Sequence, residues 1–595
     1  MTAIQKLNRL KEQVWTMRNR ALVAGLCLVV VFSLFSFRLV LLHGAPRHEQ
    51  GQAGSKGEPS VVAKPAGHRR HVQTLPARRG AILDFNNRVL ARDLEASTVV
   101  ADFTLLDDLE AAAEVLARHL HMDVDGLVQR LDVNDPYIII RRNVPRETAL
   151  ALMLEVRERG LKGVRLEPGF VRDYPHAPLL ANVLGTTDYE NLGVMGVEHS
   201  WQKVLGGKPG SREMWLDRAG RELVGFSREE QLPEDGRSLR LTIDLGAQSL
   251  VEEALDTLVA QYAPAKAVIV VMDPHTGNLM ALGSRVRAME DEKQADIYQN
   301  PVFMDQFEPG SIFKMIVASA ALNEGVVGPN TLIDCEYGKF RYNGVTLNDF
   351  GSYDELTVTD VLVKSSNIGA AKMALMLGEE RFYRYITDFG FGRKTGLGLR
   401  GETRGTSHAP GSRGWSNVSI TQIPMGQGIA VTPLQMVTAA SAIANGGLLL
   451  QPRLVDAVTD ERGVLIEKMP VVQKRRVLRE STARQVREML NEVVTPEGTG
   501  KRAQIPGLSV CGKTGTAQKA TGRGGYSRDE FVTSFLGFLP REYPRFVMLV
   551  TLDAPQVEPD HYFGGVVAAP IFADLSSRLA DYLGVARTVD VSALE

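Results

Sequence analysis

A chain of 595 residues is too long for one ordinary core, so at least two domains are expected. Its 44% hydrophobic and 23% charged content is that of a folded globular protein, and a net charge of −2 leaves no electrostatic footprint for nucleic acid. Three cysteines, Cys27, Cys335 and Cys511, are too few for a disulfide framework; the last two read as small packing residues.

Lys6, Arg9, Lys11, Arg18 and Arg20 precede an uncharged stretch, residues 21–37, that resumes after Arg38 as Leu39-Val40-Leu41-Leu42. Residues 21–42 are about 22 residues, enough to span a bilayer, and the basic flank keeps residues 1–20 cytoplasmic. Arg38 can snorkel to the outer interface. A cleaved signal peptide is the rival reading, but the stretch is long for one, which favours an uncleaved anchor. Residues 43–71, rich in Gly, Ala, Pro, Lys and Glu, read as a flexible linker outside the membrane. Residues 72–237 mix strand and helix patterns, such as helices at 109–120 and 147–157, and form a first extracytoplasmic domain.

A second domain, 238–585, opens with a strand at 239–243 and a helix at 248–262. A hairpin follows, 267–272 and 279–282, turning at Pro274-His275-Thr276-Gly277. Strands at 508–517, 533–539 and 546–552 close the domain, with helices such as 311–323 and 434–444 between. The pattern is an antiparallel sheet built from both ends of the domain around a helical insertion. Residues 586–595 are a tail.

The chemistry concentrates in three fragments of this domain. In Phe307-Glu308-Pro309-Gly310-Ser311-Ile312-Phe313-Lys314 a serine precedes a lysine by one helical turn, which puts a nucleophile and a base on one face. Pro309 and Gly310 break structure before Ser311, so the serine is expected at a helix N-terminus, where free N–H groups favour negative charge. Lys314 must be neutral to accept a proton, which burial or a nearby cation can bring about. An N-cap serine with a surface lysine is the ordinary alternative. The chain has a second Ser-x-x-Lys, Ser200 to Lys203, expected in a polar helix without the break and rejected as catalytic. Ser365-Ser366-Asn367 lies on a helix-to-helix connection, where helix capping is the simple alternative. Lys513-Thr514-Gly515, followed by Thr516, is flanked by strand residues, whereas the competing Lys394-Thr395-Gly396 falls in a turn-rich stretch. The chemistry wants the lysine on a strand edging the site and a glycine where substrate backbone passes closely. Residues 518–526, Gly-rich between two such strands, read as a mobile substrate loop.

In this order, these fragments are the signatures of serine enzymes that acylate on D-Ala-D-Ala peptides or penicillins. The chain resembles the class B penicillin-binding proteins, the monofunctional peptidoglycan D,D-transpeptidases, from the anchor to about residue 580. Arg79-Gly80-Ala81-Ile82-Leu83-Asp84 and Gly196-Val197-Glu198 resemble landmarks of that family's pedestal domain. Phe307 to Ser311, Lys364 to Gly369 and Tyr562 to Pro570 are most similar to the septal, FtsI-type branch. The implied fold is α+β: a membrane helix, an elongated mixed pedestal of the dimerisation type, and a transpeptidase domain like that of serine β-lactamases.

The resemblance implies that Ser311 attacks the carbonyl between the terminal D-alanines while Lys314 takes its proton. Ser365 relays a proton to the leaving D-alanine, and Asn367 orients Lys314 and the substrate amide. Lys513 and Thr514 hold the terminal carboxylate beside Gly515. The N–H groups of Ser311 and Thr516 form an oxyanion hole, typically worth about 3–4 kcal/mol per donor. No cofactor and no metal are implied. Expected partners are peptidoglycan stem peptides, β-lactams and a SEDS-type, FtsW-like membrane glycosyltransferase with other division proteins. Alternatives are an elongation-type transpeptidase, a D,D-carboxypeptidase using the same groups with water, and a silent penicillin-binding scaffold. Departures from the family pattern are Met315 for proline, Ile312 for threonine, and Asp84-Phe85-Asn86-Asn87 for Asp-Arg-Asn-Gly. None removes a reacting group.

Overall fold

The computed structural model describes residues 69–216, 230–287, 299–520, 525–558 and 561–588. The expected anchor and all but the last residues of the linker lie outside them; the first described residues form a strand from Arg69. Among the described residues no helix is long and apolar enough to cross a membrane.

The N-terminal part is built on strands β1 (Ile82–Leu83), β2 (Val89–Ala101), β3 (Ile138–Pro145) and β4 (Val164–Asp173), with β2 antiparallel to each of the other three. Helix α1 (Leu109–Leu120) starts on the Asp108 cap and buries Ala113, Leu116 and Leu120 at helical spacing. With α2 (Arg146–Glu158), it covers a small core that includes Val99, Leu116, Ile140 and Leu152.

Strand β5 (Ser238–Leu241) pairs in parallel with β1 on one side. Its other side pairs antiparallel with β8 (Val455–Thr459), and β8 pairs with β9 (Leu465–Lys468). One seven-stranded sheet, β9-β8-β5-β1-β2-β3 with β4 also on β2, therefore crosses the point where the sequence suggests a domain boundary. Backbone hydrogen bonds, not a free linker, join the two parts.

The C-terminal part holds the expected antiparallel sheet. Its order is β7-β6-β12-β11-β10, formed by β6 (Lys266–Met272), β7 (Leu279–Val286), β10 (Cys511–Ala520), β11 (Tyr526–Leu539) and β12 (Phe546–Asp553). Successive residues of a strand face opposite sides, and both sides here are covered. Ala267, Ile269 and Val271 pack with Val251 and Leu255 of α3 (Leu245–Tyr262) and with residues of α8 (Ala568–Tyr582). Val268, Val270 and Met272 pack instead into the large core with α4 (Lys314–Glu324) and α7 (Pro433–Ala444). Helices α5 (Val358–Val363) and α6 (Asn367–Leu377) belong to the same insertion. Every residue from Lys314 to Leu322 is buried, so the apolar run after the nucleophile motif is a central helix of the domain. Cys335 and Cys511 are both free and buried.

Candidate active site

The serine of the first fragment does not stand on the helix itself. Gly310–Phe313 forms a tight 3₁₀ turn and the α-helix begins at Lys314, whose N–H donates to Ser311 O. Gly310 has φ 56°, a region that costs little only for glycine. It is also closely packed: a Cβ there would lie 3.0 Å from Ala517 Cβ and 3.1 Å from Thr516 O on β10. From the other side, Gly310 N–H donates to Gly426 O at 3.3 Å, and Phe307 and Val431 exchange both backbone hydrogen bonds at 2.9 Å. The turn is thus wedged between an edge strand and the loop of residues 426–431, which fixes where the half-buried Ser311 points.

Lys314 is fully buried. Its Nζ donates to Asn367 Oδ1 at 2.7 Å, to Ser365 Oγ at 3.2 Å and to the Ser365 carbonyl. These contacts are to the second fragment and not to Ser311. Burial pulls the Lys314 ammonium down from 10.5 to about 7, against the opposing charge of Asp349. Lys513, also fully buried, reaches the same hydroxyl, Nζ to Ser365 Oγ at 2.9 Å. Burial, and then the neighbouring Lys314, hold it well below the ordinary lysine range. Two lysines therefore converge on one serine oxygen. Each lone pair can receive a donor, which leaves the Ser365 proton free to be given elsewhere.

The second fragment divides its labour. Ser365 sits at φ 59° between α5 and α6, a strained conformation for a residue with a side chain. Ser366 is the cap that sequence reasoning weighs for the fragment: its Oγ accepts from Gly369 N–H at 2.9 Å. Ser366 does the capping, and Ser365 is the serine in contact with Lys314 and Lys513. Asn367 holds Lys314 with its oxygen and donates Nδ2–H to Asn348 O at 2.8 Å.

The third fragment lies on β10, an edge strand, and Lys513 is turned onto Ser365 and Thr514. Thr514 Oγ1 donates to Thr499 Oγ1 at 3.0 Å, and Thr516 Oγ1 accepts from Gly564 N–H at 3.1 Å. A Cβ on Gly515 would meet Ser534 Oγ at 2.3 Å, Ile312 Cγ2 at 3.0 Å and Pro309 O at 3.3 Å. The closest approach is made by Ser534 on β11, and the protein's own nucleophile turn lies next to it. Gly564 packs likewise, its Cβ position 2.4 Å from Gly515 O.

Sequence reasoning misses Asp349. Its Oδ1 accepts from the N–H groups of Asn367 and Ile368, at 2.5 and 3.0 Å, and its Oδ2 from Ser366 Oγ at 2.6 Å. It satisfies the first free donors of α6 and aims Asn367 at Lys314. The open N-terminus of α6 was the available signal; nothing marked which acceptor fills it. The rejected fragments behave as expected of bystanders. Ser200 and Lys203 fall on two short helical turns, not one polar helix. Thr395 and Gly396 bind the buried Glu402, which fixes a turn. Among the described residues no group of His, Cys, Asp or Glu side chains is placed to hold a metal ion.

Residues 267–577 match the model of the penicillin binding protein transpeptidase domain, and residues 74–241 that of the penicillin-binding protein dimerisation domain. Stage V sporulation protein D of Bacillus subtilis is 33% identical over 520 residues, 85% of this chain and 78% of that protein. Peptidoglycan D,D-transpeptidase FtsI of Escherichia coli K12 is 31% identical over 531 residues, 87% of this chain and 85% of the other. Among solved structures, penicillin binding protein 3 of Mycobacterium tuberculosis, complexed with aztreonam, superposes with a TM-score of 0.67 at 27% identity, covering 87% of this chain and 98% of that one. Shared along nearly the whole length and in both domains, this likeness means that the chain belongs to the class B penicillin-binding proteins, of the FtsI type.

Proposed function

We propose that this protein is a peptidoglycan D,D-transpeptidase that works through a Ser311 acyl-enzyme and is inactivated by β-lactams at the same residue. One observation carries the assignment of roles: a buried lysine with its pKa near 7 lies one turn from Ser311, fastened to Ser365 and Asn367. The printed activity of the E. coli relative and the aztreonam held by the mycobacterial one support the reading.

Ser311 Oγ attacks the carbonyl carbon of the penultimate D-alanine as neutral Lys314 takes its proton; hydrogen bonds of this kind tighten when substrate enters. The N–H groups of Ser311 and Thr516 receive the oxyanion. The C–N bond then breaks, and Ser365, fed by Lys314 and Lys513, passes a proton to the departing D-alanine nitrogen. Lys513 and Thr514 bind the terminal carboxylate. An amine of a neighbouring stem peptide next attacks the ester, gives up its proton through the same groups, and leaves a new amide while restoring Ser311. Residues 238–585 form the catalytic domain and 72–237 a pedestal. An anchor at 21–42 holds both at the outer face of the cytoplasmic membrane. The setting is septal wall synthesis beside an FtsW-like glycosyltransferase.

The test is labelling of the detergent-solubilised protein with a fluorescent penicillin, wild type against Ser311→Ala. Label on the wild type and none on the folded variant is expected. Equal labelling of both would overturn the role given to Ser311.

A further inference from the structure

Glu308, three residues before the nucleophile, takes no part in the chemistry above, yet its carboxyl ties together the segments that hold the nucleophile turn. Oε1 accepts from Gly428 N–H at 2.8 Å and from the Tyr526 hydroxyl at 3.3 Å. Gly428 belongs to the loop that clamps Phe307 and Gly310. Tyr526 opens β11, paired with Ala520 at the far end of β10, the strand that carries Lys513 and packs on Gly310. The second oxygen, Oε2, is buried and has no hydrogen-bond partner among the described residues.

We propose that Glu308 is a positioning residue for acylation: its ionised carboxylate locks the nucleophile turn to both of its supports, the 426–431 loop and the β10–β11 pair. The proposal rests on the reading of Ser311 as the acylated residue. A carboxylate with one oxygen doubly bonded and the other buried dry is expensive to charge, and burial raises its pKa accordingly. Both donors bind the charged form more strongly than the neutral one. Tyr526 is the one titratable group facing it among the described residues, and it stays protonated because burial and Glu308 raise its own pKa. Protonating Glu308 therefore loosens the tether, on the acid side where Lys314 is charged as well.

Two protons must then leave before the site acylates fast, one from Lys314 and one from Glu308. In wild type, the rate of labelling by a fluorescent penicillin falls with a slope approaching two on the acid side of a log-rate plot. Glu308→Gln keeps an acceptor oxygen but cannot titrate, so its acid limb keeps a slope of one. Glu308→Ala slows labelling at neutral pH, on the order of 10²-fold for a turn displaced by an ångström. The tether is also read without catalysis. Amide hydrogen exchange of residues 426–431 rises in Glu308→Ala and Tyr526→Phe. An acid limb in Glu308→Gln identical to that of wild type, or unchanged exchange at 426–431 in Glu308→Ala, overturns the proposal. Absence of label on the wild type would instead sink the Ser311 reading, and the exchange result still decides the tether.

Discussion

Among the described residues, two buried clusters of charged side chains, one in each part of the molecule, are built in opposite ways. In the N-terminal part Arg79 Nε meets Glu198 Oε2 at 2.5 Å, Arg172 Nε meets Glu198 Oε1 at 2.7 Å, and Arg172 Nη1 meets Asp93 Oδ1 at 3.0 Å. Gln202, Asn191 and the Gly80 carbonyl take up remaining donors and acceptors. Two cations face two anions, all of them dry. At the site, Lys314 and Lys513 are equally dry but share only hydroxyl, amide and carbonyl partners. A buried charge survives if an opposite charge compensates it; without one, the group gives up its proton instead. The first arrangement makes a permanent brace; the second lowers both lysine pKa values, that of Lys314 to about 7, which suits Lys314 to act as a base.

Removing one member of each cluster separates the two principles most sharply. Glu198→Gln leaves Arg79 and Arg172 short of a buried anion, a loss on the order of 3–5 kcal/mol that denaturant unfolding will show. The fraction that remains folded should still take up penicillin, because no reacting group has changed. Lys314→Met does the reverse. It removes a group that is costly to bury, so the fold keeps or gains stability, while acylation drops by about 10²–10⁴-fold with the general base gone. If Lys314→Met unfolds the protein as readily as Glu198→Gln does, the contrast fails.

pH offers a second, smaller handle. With the folded-state pKa of Lys314 at about 7, labelling of Ser311 should rise as pH passes upward through that value. The stability term has a definite sign. Lys314 is depressed from 10.5 to about 7, so between those values the unfolded chain binds a proton that the folded one has released. Unfolding free energy therefore increases with pH across this window, and the burden of the buried ammonium is complete below it. The stability difference between wild type and Lys314→Met should shrink as pH is raised from about 7 towards 10.5, measured by denaturant titration at each pH.

Much of this is legible in the residues alone, for reasons that can be named. The spacing of Ser311 and Lys314, the strand context of Lys513 and the apolar run of α4 are local patterns, and local patterns fix local structure. The antiparallel pairing of β6 and β7 follows from the short turn at 274–277, and the burial of the sheet from strands whose two faces are both apolar. What escapes the sequence is contact between distant segments. Arg79 and Glu198 stand out only as landmarks; that they form an ion pair appears when the chain folds them together. The resemblance names Ser365 as the relay, but that Ser365 meets the two lysines while Ser366 caps α6 appears only in the fold. The reason for Gly515 is likewise invisible, because its neighbours, Ser534 across the strand pair and Pro309 and Ile312 of the nucleophile turn, are distant in sequence. The anchor expected at 21–42 is the opposite case, argued from hydropathy and outside the described residues.

Asp349 is where the two clusters come closest to one another in kind, since it is an anion near a buried lysine. Its oxygens, however, are spent on Ser366 and on the N–H groups of Asn367 and Ile368, and Lys314 feels it only across space. Asp349→Asn should therefore act unlike Glu198→Gln. The amide oxygen can still accept from the two backbone donors, so the loss of stability should be small, about 1 kcal/mol. Because the Asp349 charge holds the Lys314 pKa up, its removal lets that pKa fall further. The acid limb of the labelling profile then moves to lower pH, and the rate at pH 6 gains on the rate at pH 8 even if both decline through poorer aim of Asn367. A limb that moves the other way, or a collapse of the fold, would mean that Asp349 pairs with Lys314 as the carboxylates of the first cluster pair with their arginines, and the distinction between brace and base would have to be redrawn at this residue.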